Sequence, residues 1–164
     1  MTLRSAFRTW ILAALTIILA NLTGEPAMAT DGLTTIKSQF DAAETMDRLE
    51  AAVSKRGARI FARIDHAAGA AESGLLLRPT TVLIFGNPKG GTPVMQSSQT
   101  AGIDLPLKAL VWQDAAGDTW LSYNDPAWIA RRHAAGHDAD PAVSAMSVLL
   151  RAVATSVTTG SAAN

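Results

Sequence analysis

The residues of this 164-residue chain whose types and spacing could do chemistry are few. Asp65-His66 leads them, because a neutral imidazole ligates iron or relays a proton near neutral pH and a carboxylate holds its tautomer. Neighbours on a strand point to opposite faces, however. A second assignment therefore stands beside the first: Asp65 caps a helix beginning at His66 or Ala67, and His66 is a polar residue of its first turn. Gly86-Asn-Pro-Lys-Gly-Gly91 is the other conspicuous run. It is neither GxGxxG nor GxxxxGKS/T, and Asn87-Pro88 favours a turn. As a ligand contact, the run offers Asn87, the cation Lys89 and backbone N–H groups near Thr92 for a carboxylate. Met95 follows, to pack the core or to line a pocket. His133 and His137, spaced i, i+4, make a metal pair only on a continuous helix with His66 as third ligand; Gly136 and the Ala/Asp-rich surroundings favour a solvated helix end.

Much chemistry is excluded. Cysteine is absent, which removes disulfides, thiol nucleophiles, thiolate zinc sites, iron–sulfur clusters and covalent CxxCH haem attachment. Neither GxSxG nor SxxK occurs, and three histidines leave little choice of base, so no catalytic set is recognised and binding is favoured over enzymatic turnover. With 14 basic and 14 acidic side chains there is no concentrated positive stripe for nucleic acid.

The N-terminus reads as a processing signal. Arg4 and Arg8 precede the apolar run from Trp10 to Ala20, a polar stretch follows, and Ala27-Met-Ala29 is an A-x-A cleavage site. Residues 1–29 are expected to be a secretory signal peptide, cut before Thr30, since so short an apolar run falls below the roughly 20 residues of a bilayer span. The remaining 135 residues carry a net charge near −1. A periplasmic or secreted destination is expected, with no stable membrane span after cleavage.

The elements that must position these residues follow from periodicity. Thr34 to Phe40 contains a short strand, and Asp41-Ala-Ala-Glu44 resembles a capping box for a helix carrying Ala42, Met46, Leu49 and Val53 on one face and ending at Gly57. Ala58 to Ile64 alternates as a half-buried strand, disturbed at Phe61, and His66 to Ser73 makes two helical turns. Thr80 to Phe85 reads as a central strand buried on both faces, Asn87 to Gly91 as a loop, and Thr92-Pro93 as the start of a helix. Leu105 to Trp112, the turn Asp114 to Asp118, and Thr119 to Tyr123 form a hairpin. Asp125-Pro126 opens another helix, Pro141 a last one, and Thr155 to Asn164 should fray. An exposed pair among Trp112, Trp120 and Trp128 would signal an interface. The sum is an α+β domain: two layers, a mainly antiparallel sheet, and helices on one face. A sheet face left at the surface favours a homodimer.

Five motifs in order, Arg63-Ile-Asp-His66-Ala-Ala-Gly-Ala70, Leu77-Arg-Pro79, Phe85-Gly-Asn-Pro88, Leu105-Pro-Leu107 and Ser122-Tyr-Asn-Asp-Pro126, resemble the bacterial DUF302 family across about Thr35 to Gly136. The chain is accordingly divided into the signal (1–29), a DUF302-like domain (30–140) and a C-terminal helix with its tail (141–164), the signal and the segment after Gly136 lying outside the resemblance. The resemblance implies a small α+β domain, often dimeric, some of whose members look like haem-binding proteins with haem near the dimer interface. The expectation is a secreted or periplasmic domain binding a small ligand, with His66 as an iron ligand and Asp65, Asn87, Lys89 and Met95 near the cofactor. The competing expectation is an envelope interaction module without a small ligand.

Overall fold

The computed structural model describes residues 31–160; the expected signal peptide and residues 161–164 lie outside the described residues. Five strands, β1 (Leu33–Lys37), β2 (Arg59–Asp65), β3 (Thr80–Gly86), β4 (Leu107–Gln113) and β5 (Thr119–Asn124), form one sheet in the order β1-β5-β4-β3-β2. Every neighbouring pair is antiparallel, so the fold is α+β. The helices are α1 (Ala42–Lys55), α2 (His66–Glu72), α3 (Pro88–Ser97), α4 (Pro126–Arg132) and α5 (Asp140–Thr159), with 3-10 turns at Gln99–Ile103 and His137–Ala139.

Local chemistry sets most of these boundaries. The Asp41 carboxylate accepts from the Glu44 N–H and starts α1, which ends at Gly57 with φ +74°, a backbone state that costs glycine little. Asp65 and Asp125 cap α2 and α4 in the same way. The Asp114 carboxylate closes the β4–β5 turn, accepting from the Ala116 and Asp118 N–H groups and from the Trp120 indole at 2.8 Å. The indole hydrogen bond is the largest of the interactions that hold Asp114 below the usual carboxylate range. Its contribution is therefore complete above the unfolded-state value and is lost as pH falls through the lower folded one. Acid titration followed by the near-ultraviolet signal of Trp120 should stay flat through the ordinary carboxylate range and change below it; a transition at the ordinary value would contradict this.

One face of the sheet carries the core. Leu83, Phe85, Leu107, Ala109, Val111, Leu121 and Tyr123 are buried under Met46, Leu49 and Val53 of α1 and the apolar stripe of α5. With its preceding turn, α5 is long and apolar enough to cross a membrane, yet Met146, Leu150, Val153, Ala154 and Val157 are buried and the helix packs on α1, α3 and α4.

Three local expectations are corrected. Asn87 to Gly91 is not a loop: Asn87 caps α3, Pro88 takes its first turn, and Pro93 lies inside the helix, where Thr92 caps nothing. β3 is not buried on both faces, because Leu83 and Phe85 are fully covered while Val82 and Ile84 are only half-buried on the opposite side. The tail does not fray at Thr155; α5 continues to Thr159, Val157 and Thr158 are buried, and the Thr158 hydroxyl donates to the Ala154 carbonyl.

Candidate functional site

Among the described residues no layer of buried helices covers the second sheet face: α2, which contacts β3, buries none of its residues. Cross-strand partners share a face, and the register sets Ile64, Val82, Leu110, Ser122 and Thr35 in one row across all five strands. The adjacent row brings Thr80, Trp112, Trp120 and Lys37 together. Trp112 and Trp120 stack with centroids 6.2 Å apart, and the Trp112 indole donates to Ser122 Oγ, which also pairs with Thr35 Oγ1. Ser122, Thr35 and the Trp112 indole are thus satisfied within the face, while Lys37 at its edge is exposed and paired with Asp118.

His66 stands at the rim of a groove of about 460 Å³ on this face, with Val82, Leu110, Trp112, Ser122 and Lys108 among its walls. This is within the range of about 300–1,000 Å³ of ordinary small-molecule sites. Asp65 does not orient the imidazole: its carboxylate accepts the Ala68 N–H, and its backbone is the last of β2. Among the described residues, no side chain hydrogen-bonds a ring nitrogen of His66. Lys108 donates to the carbonyls of Asp104 and Pro106 and has no carboxylate partner there. Ile64 on the same face and the loop Leu75–Leu77 beyond α2 are exposed apolar groups, Leu76 completely so.

Asn87, Lys89 and Met95 lie elsewhere. Asp65 pairs with Thr81 at one end of β3, whereas Gly86 closes the other, about 17 Å away at 3.3 Å per residue. Asn87 and Met95 line a separate, apolar cavity of about 210 Å³ there, while Lys89 is exposed and lines neither space. The five candidates are therefore not one constellation: His66 lines the groove, Asn87 and Met95 line the cavity, and Asp65 and Lys89 line neither. Val82, Lys108 and Leu110 were missed as site residues; the i, i+2 spacing of Lys108, Leu110 and Trp112 along β4 was the available signal.

The other histidines also part company. His133 caps the C-terminus of α4, with its side chain only 9% exposed: Nδ1 meets Thr100 Oγ1 at 3.0 Å and Nε2 meets Asp104 Oδ2 at 2.8 Å. His137 is fully exposed beside Asp140, whose hydrogen bond and charge raise its pKa. No group of three or more His, Asp or Glu placed to hold a metal ion occurs among the described residues. His133→Ala removes one of two side-chain partners of the mostly buried Asp104, leaving Arg132 Nη1 3.2 Å from Oδ2, and should cost about 0.5–1.5 kcal/mol in urea unfolding; an unchanged midpoint would show that the linkage carries no stability.

The family model for the domain of unknown function DUF302 matches residues 34–153. The chain belongs to the DUF302 family. Its family segment runs past Gly136 through most of α5, consistent with that helix sharing the core. An uncharacterized conserved DUF302 protein from Bacillus stearothermophilus has the same fold, with a TM-score of 0.68 at 20% identity over 77% of this chain and 98% of that one. Two curated relatives, each called fluoride-specific ion channel FluC 1, come from Brucella suis and Brucella abortus. Both are 48% identical over 124 residues, which is 74% of this chain and 49% and 46% of the respective relatives. This DUF302 chain spans about half the length of the curated relatives it matches.

Proposed function

We propose that the chain is a periplasmic ligand-binding domain that holds a flat, largely apolar cofactor of haem type on its uncovered sheet face, with a second copy covering that face. The observation that carries this reading is His66, an imidazole without a side-chain hydrogen-bond partner among the described residues, at the rim of an apolar groove. The lining suits such a group: His66 would ligate the iron, Val82, Leu110 and Trp112 would contact its apolar face, and Lys108, whose ammonium donates to the Asp104 and Pro106 carbonyls, would be the cation for a propionate. Bound haem would supply a redox-active iron. The chain's own part is to bind and orient it and to exclude water, with the Ser122 hydroxyl already engaged by Trp112 and Thr35. Pairing like faces about a two-fold axis would cover the exposed apolar rows in both copies. Secretion rests on the N-terminal pattern of residues 1–29.

The test is a haemin titration of the chain from Thr30. A saturable Soret change at one haemin per chain or per two chains supports the reading, and a linear, non-saturating spectrum refutes it.

The alternative, an interaction module without a small ligand, is favoured by the relatives. In them the matched segment is about half of a longer polypeptide named as a fluoride channel, so the partner in this reading is a membrane channel for a small anion. Capture of such a channel by haem-free protein, lost on substituting Leu110 by Asp, would support it.

A further inference from the structure

We propose that the cavity between α3 and the Gly86 end of β3 is a second binding site, for a small uncharged aromatic molecule bearing one hydrogen-bond acceptor. It shares no lining residue with the groove beside His66, and His66 itself stands at the opposite end of β3.

Its size and lining define the class. The cavity measures about 210 Å³, and its walls include Phe61, Leu105, Pro106, Leu107, Met95 and Met146, without a charged side chain. The pocket opens to solvent past Phe61, Asn87 and Pro88, and its volume is enough for one substituted ring, since about 150 Å³ accommodates benzene. The thioethers of Met95 and Met146 favour a ring edge over an aliphatic chain.

The glycines of α3 point the same way. Gly90 and Gly91 stand in succession inside a helix, where each costs about 1 kcal/mol relative to alanine. The backbone does not demand them, since neither has positive φ. A Cβ on Gly91 would make ordinary contacts, 3.7 Å to Leu105 Cδ1 and 3.9 Å to Met95 Cε. A longer side chain would enter the cavity. What glycine provides at position 91 is therefore an open wall.

Asn87 supplies the polar contact. Its Oδ1 accepts from the Lys89 N–H to cap α3, and its amide NH2, on an exposed residue and without a protein partner among the described residues, is available to a ligand at the mouth of the cavity, which Thr92 also lines. Asn87 lines the cavity and would donate to a ligand carbonyl.

The experiment is an NMR titration of the chain labelled at methionine methyls, with acetophenone as probe and ethylbenzene as its counterpart lacking the acceptor. Met95 and Met146 methyls should shift saturably with both, and Met46, a buried residue of α1 that does not line the cavity, should not move. Asn87→Asp keeps the capping oxygen and removes the donor; it should weaken acetophenone about 3- to 10-fold and leave ethylbenzene unchanged. Gly91→Leu should abolish both. Gly91→Ala, which fits the existing contacts, should retain the fold, reported by an unmoved Met46 methyl, and bind both probes more weakly. Non-saturating shifts, equal movement of Met46, or binding unaffected in folded Gly91 variants would overturn the proposal.

Discussion

Phe85→Ala is expected to lower the unfolding free energy by about 3–5 kcal/mol, a large part of the roughly 5–15 kcal/mol a domain of this size possesses. The ring is fully buried on β3, opposite Leu107 on one side and Ile60 on the other, beneath the helix layer. Its removal leaves a cavity that a strand held by neighbours on both edges cannot close. Ile84, the preceding residue, turns toward the uncovered face and is half-buried. At a concentration where the chain is monomeric, Ile84→Ala should cost only about 1–2 kcal/mol. Urea midpoints at unchanged slope measure both. Equal losses would contradict a sheet covered on one side only.

His66→Ala should weaken haemin binding on the order of a hundredfold, about 2.8 kcal/mol at 1.4 kcal/mol per decade, and remove the spectral signature of an imidazole ligand. Stability should hardly change. His66 is exposed, α2 buries none of its residues, and the cap that starts α2 belongs to Asp65, whose carboxylate reaches the Ala68 N–H. A spectrum identical to that of the unaltered chain would remove His66 as ligand, even if haemin bound elsewhere.

The caps and turns were the legible part of this fold, because their signals are local. Asp41, Gly57, Asp65 and Asp125 each act through atoms within a few residues, and the alternation around Asp114 specified the hairpin. α3 was misplaced because Asn87-Pro88 and Thr92-Pro93 carry the same start signature five residues apart, and the second is simply the interior of the helix begun at the first. β3 misled for another reason: an apolar run reports suitability for burial, not whether a layer covers it. His133 was illegible because Thr100 and Asp104 lie 33 and 29 residues away. Grouping His66 with Asn87 and Met95 failed similarly, since the length of β3 that separates them has no trace in residue type.

The most direct test of the uncovered face as a closed ligand site is sedimentation velocity of the chain with haemin, followed at both the protein and the Soret wavelengths. The account predicts that haemin travels with a dimer. It further predicts that Leu110→Asp, which puts a charge in the middle of the apolar row, sediments as a folded monomer without haemin. Haemin travelling with a monomer, or with Leu110→Asp as strongly as with the unaltered chain, would contradict it.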